Sequence, residues 1–400
     1  MTGTASPGSG LRFAVLGAGN GGLAMAGHLG LSGFRVRLYN RSPGRLQAVQ
    51  QTGAVELIAA EGQQLPRGDG PIEVATTDIA EALEGEPIVM VVTPATAHAF
   101  MAEQCAPHLR DGQIVVLHPG RTGGALEFLS VARRHGCTAE FTVAEAQTLV
   151  YACRATNPAQ VRIFGMKHSV PLAALPAHRT PEVVKALRPA YREFVPGDNV
   201  MKTSLDNIGA VFHPAATVLN CSRIESQRGE FEYYIEGISR STATVLESLD
   251  AERVAVGAAM GFHCMTAREW LYMAYGAAGK SLFDAIRANQ GYYGIQAPHT
   301  LDHRYLWEDV PMSLVPIASL GEHFEVPCPT TRAIVHLASL LHGADFWAIG
   351  RTVDSMGLRG LSLRQIRRFV MEGLPEESAR PAQAVLQPAS DAPAVADALQ

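Results

Sequence analysis

The sequence is most informative at first for what it lacks. None of its apolar runs approaches the roughly 18 residues that a membrane-spanning helix needs. Its six cysteines (105, 137, 153, 221, 264 and 328) form no C-x-x-C pair, so neither a zinc ribbon nor a disulfide framework is expected. Fourteen histidines are present, but none falls in an H-E-x-x-H pattern, and no metal site is expected. A net charge of −5 leaves no basic footprint for nucleic acid. The opening "MTGTASPGSG" has neither the basic nor the apolar region of a secretory leader, which points to a reduced, cytoplasmic location. There is no internal repeat.

What remains is a chain of 400 residues, 47% of them hydrophobic, long enough for two or three domains with sizeable cores. Residues 1–10 are small and polar. Residues 376–400 are rich in Ala, Pro and Ser, and both ends are expected to be disordered because they bury too little to offset ordering entropy. From Leu11 onward, apolar runs alternate with helical patterns: Leu11–Leu16, Arg35–Tyr39, "IVMVVTP" (88–94), "QIVVLHPG" (113–120) and "EFTVAEA" (140–146) read as strands. "AHAFMAEQCAPHL" and "GALEFLSVARRHG" read as helices between them, and Thr77 or Asp78 is placed to cap another. One further strand within "RIFGMKHSVPLAALP" and a helix in "TPEVVKALRPAYREF" complete this unit. Such alternation predicts a doubly wound α/β parallel sheet over residues 11–198. Residues 199–375 carry helical spacing almost throughout, in "IGAVFHPAATVLN", "FEYYIEGISRSTATVLESLDAERVAVGAAMG", "TAREWLYMAYG", "PTTRAIVHLASLLHG" and "SLRQIRRFVMEG". An all-α second domain follows, with a ligand cleft between the two.

The stretch "AVLGAGNGGLAMAGHLG" supplies the first chemistry. Gly17, Gly19 and Gly22 hold the G-x-G-x-x-G spacing between a buried strand and a helix, the setting in which this motif binds a dinucleotide pyrophosphate. Asn20 and Gly21 belong to the same turn, and Thr93 with Pro94 ends a neighbouring strand, so all seven are expected to border the cofactor. Where a Rossmann-type unit ordinarily carries an acid about twenty residues on, this chain has Asn40, Arg41 and Ser42. Without the acid nothing repels a 2′-phosphate, and Arg41 offers a planar cation suited to one, which favours NADP(H) over NAD(H). A solvated surface arginine is the plain alternative.

In the second half, His213, Thr217 and Asn220 share one helix face beside Pro214, which removes a backbone donor and should kink the helix. A histidine held there could act as general acid and base. Downstream, "HRYLWEDVPMSLVPIASLG" places Arg304, Glu308 and Asp309 before an apolar run. Two acids in such surroundings require partners, and one could orient the histidine while Arg304 clamps a substrate carboxylate. A structural ion pair between Arg304 and an acid is the simpler alternative.

Taken with these residues, "GAGNGG", "VTPATAH", "HPGRTGGALEF", "AEAQTLVYACR", "NIGAVFHPAATVLN" and "RYLWEDVP" make the chain from about Leu11 to Gly373 resemble the octopine/nopaline (opine) dehydrogenases. The resemblance implies an N-terminal Rossmann domain, a helical C-terminal domain, and NAD(P)H-dependent condensation of an amino acid with a 2-oxo acid through an imine. It implies His213 as the catalytic histidine, Asp309 as its partner, Arg304 as a carboxylate ligand and Cys153 as a residue of the substrate cleft. Val150, where proline is expected, and His118, where asparagine is common, depart from the pattern. Asn220 and Trp270 are further candidate substrate residues, and Tyr272, Tyr275, Tyr292 and Tyr293 could line an amine pocket, although helical core packing explains them equally well. A homodimer through the helical domain is also expected. Two other readings stay open. A 2-hydroxy-acid or sugar-phosphate dehydrogenase would place a lysine on the catalytic helix, whereas Lys202 lies upstream of it, and a non-catalytic NADP-binding regulator would leave His213, Arg304 and Asp309 idle.

Overall fold

A computed structural model of the chain describes residues 10–59 and 64–373. The terminal segments expected to be disordered lie outside the described residues, Gly10 excepted. Among the described residues twelve strands form: β1 (Arg12–Leu16), β2 (Arg35–Tyr39), β3 (Ala54–Ala59), β4 (Gly68–Pro71), β5 (Val74–Thr76), β6 (Ile88–Val91), β7 (Ile114–Leu117), β8 (Thr142–Ala146), β9 (Tyr151–Asn157), β10 (Gln160–Met166), β11 (Val170–Leu175) and β12 (Phe194–Pro196). Eight make one sheet in the order β12-β11-β8-β7-β6-β1-β2-β5. Strands β6 and β7, and β1 after its first residue Arg12, are apolar and almost wholly buried, as strands covered on both faces must be. The chain runs from β1 outward through β2, then returns to pair β6 on the other side of β1. The carboxyl ends of β1 and β6 therefore form the switch point at which open α/β sheets bind ligands.

The expected parallel sheet is present, with one antiparallel pair, β8 with β11. No helix follows β8. The chain instead makes the β9–β10 hairpin and re-enters the sheet at the end it left, and a parallel neighbour would have required a crossover to the other end. The single strand expected across 162–176 is accordingly two, β10 and β11, in different sheets. The second sheet, β4-β3-β10-β9, covers the helix Asn20–Leu31. Its strands β3 and β4 had no counterpart in the sequence reading. β4 is "GDGP", whose composition is that of a turn, and it survives as a strand only at the sheet edge.

The last strand ends at Pro196, and Asn199 caps the helix Val200–Leu205 by accepting from Met201 and Lys202 N–H. Helices dominate from there. Ser362 closes a capping box with Gln365 at the helix Leu363–Glu372, and Asp78, not Thr77, caps Ile79–Leu83. One helical expectation is corrected. "FEYYIEGIS" is irregular, and the helix begins at Arg240, where Ser239 accepts from Thr242 N–H. A single buried cluster runs from Leu117 and Phe128 of the sheet domain to Val200, Met201, Phe212 and Leu314 of the helical one. Arg351, fully buried, bridges the halves: Nε lies 2.8 Å from Glu127, and Nη1 donates to the Thr122 carbonyl. No helix among the described residues is long and apolar enough to cross a membrane.

Candidate active site

The glycine turn is shaped by close contact at two positions and by open space at a third. Gly17 has φ +114°, and a Cβ there would sit 2.5 Å from the Val92 carbonyl; one on Gly22 would sit 1.8 Å from the carbonyl of Gly17. Both glycines are demanded by packing. A Cβ on Gly19 meets nothing within 4 Å. That glycine leaves space in front of the helix Asn20–Leu31, whose N-terminus has no side-chain cap and no acid in its first turn. Free N–H groups and the helix dipole make such an end receptive to phosphate. Beside it, the Thr93 hydroxyl is buried without a hydrogen-bond partner. An open cradle, an uncapped helix and an orphaned hydroxyl at the switch point fit a dinucleotide.

Asn40 directly follows β2 and accepts a hydrogen bond from Ala18 N–H at 3.0 Å, so its amide braces the turn. Arg41 is exposed, and its guanidinium lies over the Phe100 ring at 5.5 Å, which gives the cation a direction a freely solvated arginine lacks. Ser42 is exposed beside it, and its carbonyl accepts from the Asn40 amide. Asn20 joins the turn to the hairpin: its Oδ1 accepts from Ala155 N–H at 2.9 Å, and its carbonyl accepts from Cys153 Sγ at 3.4 Å. Leu149 packs over Gly21. Cys153 thus stands against the cofactor turn, and burial pushes its thiol up to about 11.

His213 lies on the helix Gly209–Leu219, which continues through Pro214. The His213 carbonyl accepts from both Thr217 Oγ1 and Tyr233 OH at 2.8 Å, so this turn is held by side chains as well as by the backbone. Nδ1 of His213 lies 2.8 Å from Asp309 Oδ2. A carboxylate can only accept, so Nδ1 carries the proton and Nε2 is left as the base. Nε2 faces the hydroxyl of Tyr234 at 3.2 Å, and Tyr305 stacks on the ring with centroids 4.1 Å apart. Asp309 is wholly buried at the entry to a π-helical turn, Val310–Leu314, the kind of irregularity that aims side chains at functional sites. Burial alone would push its carboxyl up. The Arg121 guanidinium and the His213 imidazole outweigh that and hold it below the usual carboxylate range.

Arg121 is the residue the sequence reading passed over, although it stands within "HPGRTGG". Its Nη1 lies 3.0 Å from Asp309 Oδ1 and 3.5 Å from Asn207 Oδ1, and its Nε lies 3.4 Å from Glu308. Its φ of +57° is left-handed, a conformation that costs an L-residue roughly 1–2 kcal/mol and persists where the surroundings impose it. Glu308 also accepts from Ala95 N–H at 3.2 Å. Ala95 directly follows Pro94, so this one bond ties the Glu308–Asp309 pair of the helical domain to the strand end that borders the cofactor turn.

The remaining candidates separate clearly. Arg304 is held by Glu308 at 2.7 Å, the ion pair considered as the simpler alternative, while more than half of its side chain stays exposed. The Asn220 amide donates to the carbonyls of Ala216 and Gly237 and completes a helix end, which accounts for the residue without a substrate. Trp270 is at the far end of an aromatic row: it meets Tyr275, which meets Tyr292, which stacks on Tyr234. Tyr272 and Tyr293 are exposed. Tyr234 and Tyr233, which touch His213 directly, come from the irregular segment that had been read as helix. A hollow of about 460 Å³ lined by Lys185, Arg188, Pro189 and Arg192 shares no residue with this site. Among the described residues no cluster of His, Cys, Asp or Glu could hold a metal ion.

Fold and site together define a two-domain, dinucleotide-binding oxidoreductase with a histidine–carboxylate pair beside the cofactor turn. Residues 12–129 match the N-terminal domain of NAD-dependent glycerol-3-phosphate dehydrogenase, and residues 196–342 match the α-helical domain of NAD/NADP octopine/nopaline dehydrogenase. The chain is 37% identical to the opine dehydrogenase of Arthrobacter sp. (strain 1C), over 90% of its own length and 98% of that enzyme. It is 26% identical to the octopine dehydrogenase of Mizuhopecten yessoensis, over 81% of its length and 88% of that protein. A solved octopine dehydrogenase with NADH and L-arginine shares the fold with a TM-score of 0.76 at 21% identity, covering 89% of this chain and 97% of the other. A yersinopine dehydrogenase with NADP+ does so with a TM-score of 0.69 at 16% identity, covering 86% and 94%. The chain belongs to the opine dehydrogenase family.

Proposed function

We propose that this protein condenses the amine of an amino acid with a 2-oxo acid and reduces the product with a nicotinamide cofactor, using His213 as general acid and base and Asp309 as its orienting partner. The observation that carries the assignment of residues is the 2.8 Å contact between His213 Nδ1 and Asp309 Oδ2, made across 96 positions and docked on the switch point through Glu308 and Ala95. His213 Nε2 takes a proton from the substrate ammonium, freeing the lone pair that attacks the keto carbon. The same nitrogen returns that proton to the carbinolamine hydroxyl, which departs as water and leaves an iminium. A reduced nicotinamide, held at the glycine turn of Gly17, Gly19 and Gly22, would supply the hydride that makes the iminium a secondary amine. Asp309 keeps the imidazole in the Nδ1–H tautomer and stabilises it while protonated, and Arg121 keeps Asp309 ionised.

Gly17, Gly19, Asn20, Gly21 and Gly22 would hold the pyrophosphate side of the cofactor, with Thr93 and Pro94 on the facing strand end. Arg41 and Ser42 at the end of β2 favour NADP(H), because no carboxylate stands there to repel a 2′-phosphate. Both cofactor types occur in the related structures, NADH in octopine dehydrogenase and NADP+ in yersinopine dehydrogenase. Arg304 retains donors beyond the one given to Glu308 and would meet a substrate carboxylate from the helical domain, while Cys153, which stands against Asn20 of the cofactor turn, would border the substrate from the other domain.

The test is His213→Ala. General acid–base catalysis contributes roughly 10²–10⁴-fold, so turnover should fall at least about a hundredfold while NADPH binding, followed by fluorescence, is unchanged. Turnover near that of the wild type removes His213 from the mechanism. Oxo-acid reduction that proceeds equally well without added amine would indicate a 2-hydroxy-acid dehydrogenase instead.

A further inference from the structure

The reaction brings together two carboxylates, one on each reactant, and the residues described so far offer only Arg304 for them. Lys167 is a cation that none of these roles uses. It follows β10, on the excursion that leaves the sheet at the carboxyl end of β8 and returns at the same end, so it stands at the ligand-binding edge. Its backbone N–H donates to Val150. Its Nζ donates to the Leu149 carbonyl at 2.7 Å and to Thr148 Oγ1 at 2.9 Å. Leu149 is the residue packed over Gly21, so these bonds fix the ammonium beside the cofactor turn.

An ammonium has three N–H donors and two are spent here, which leaves one. Among the described residues no carboxylate lies within 4 Å of Lys167. The acids of the site are already matched: Glu308 and Asp309 against Arg121 and Arg304. Lys167 is therefore the unbalanced charge of the crevice. The groups that act on it are another cation, Arg121, and a neutral thiol, Cys153. Partial burial and Arg121 together pull its ammonium down to about 8 although the side chain stays accessible to water. A cation kept at such a cost at the edge of a substrate crevice is suited to an arriving anion.

We infer that Lys167 binds the α-carboxylate of one of the two reactants and leaves the other to Arg304, so that each carboxylate of the product meets its own cation. This rests on the proposed function. A lysine that only ties down Leu149 would serve as well uncharged, and the variants separate the two roles. Lys167→Gln keeps a donor for the Leu149 carbonyl but no charge; Lys167→Arg keeps the charge. Steady-state constants are measured for NADPH, for a 2-oxo acid at saturating amino acid, and for the amino acid at saturating oxo acid. In Lys167→Gln the KM of one carboxylate substrate should rise about tenfold to a hundredfold, the range of a charge-assisted hydrogen bond. The substrate affected identifies the carboxylate. The KM of NADPH should stay within twofold, and Lys167→Arg should recover most of the loss. With the wild type, kcat/KM for that substrate should decline above pH about 8 as the ammonium deprotonates, and the decline should vanish in Lys167→Arg. A rise confined to the KM of NADPH would assign Lys167 to a cofactor phosphate and overturn the inference. Equal loss in both variants, or unchanged constants in Lys167→Gln, would overturn it as well. Wild-type protein inactive with every pair of amino acid and oxo acid would instead refute the proposed function.

Discussion

Replacing Asp309 with asparagine tests the site most sharply, because it changes charge with almost no change of shape. Asp309 is fully buried, bonded through Oδ2 to His213 and ion-paired through Oδ1 with Arg121. An amide has two orientations there. With its oxygen toward Nδ1, the histidine keeps its tautomer, but the NH2 group faces the Arg121 cation. With NH2 toward Nδ1, the cation is satisfied, but Nδ1 must accept, and the proton moves to Nε2, where it blocks the base. Either way, the imidazolium formed during the reaction loses its counter-charge. Two unit charges about 4 Å apart interact by about 4 kcal/mol at the effective dielectric of a partly exposed site, which corresponds to about a thousandfold. The expected loss of kcat is therefore about 10²–10³-fold, read from the absorbance of the reduced cofactor under saturating substrates. The residues act as one unit, so His213→Ala with Asp309→Asn should be hardly slower than His213→Ala alone. Asp309→Asn turnover within threefold of wild type, in protein that melts normally, would refute the reasoning. So would fully multiplicative losses in the double variant.

Further outcomes follow from other parts of the fold. Arg41→Ala should raise the KM of NADPH by about tenfold or more and that of NADH little, since a charge-assisted phosphate contact is worth about 1.5–3 kcal/mol; equal changes would show that Arg41 is only a surface residue. Arg351→Met leaves the buried Glu127 carboxylate without its cation and should lower the unfolding free energy by about 3–5 kcal/mol in urea titrations, while Arg351→Met combined with Glu127→Leu should recover much of it. Burial lowers His28 to about 4 and His118 to about 3, against 6.5 for a free histidine. Both are neutral in the fold, so below pH about 6.5 the unfolded chain takes up protons that the folded one does not. Stability should then fall with pH from about 6.5 toward 4, by about 1.4 kcal/mol per pH unit for each histidine. Replacing His118, whose ring nitrogens have no hydrogen-bond partner, with Phe should flatten that slope by one proton, as measured by urea titrations at several pH values.

Local features of the sequence determined a good deal of this protein. A buried strand, a glycine spacing and a following helix are adjacent in the chain, so the cofactor turn and the missing acid at Asn40 were legible before any coordinates. So was a helix cap at Thr77 or Asp78, because capping acts over three residues, although the choice of Asp78 came from the structure. His213 and Asp309 could be marked as a pair only through the resemblance to a family, since nothing in spacing alone joins positions 96 apart. Spacing left open which of the two adjacent acids meets the histidine, and in the structure Asp309 points to His213, while Glu308, its neighbour, turns to Arg304, Arg121 and Ala95. Tertiary structure also recruited residues without a pattern to announce them. Arg121 is set by a left-handed backbone in a glycine-rich loop, Tyr234 by an irregular segment with helical spacing, and Lys167 by a hairpin that re-enters the sheet antiparallel. The physical reason is common to all of them. Periodicity and capping record what a residue does with neighbours three or four positions away, whereas burying a charge is settled by whichever partner the fold brings from the far end of the chain.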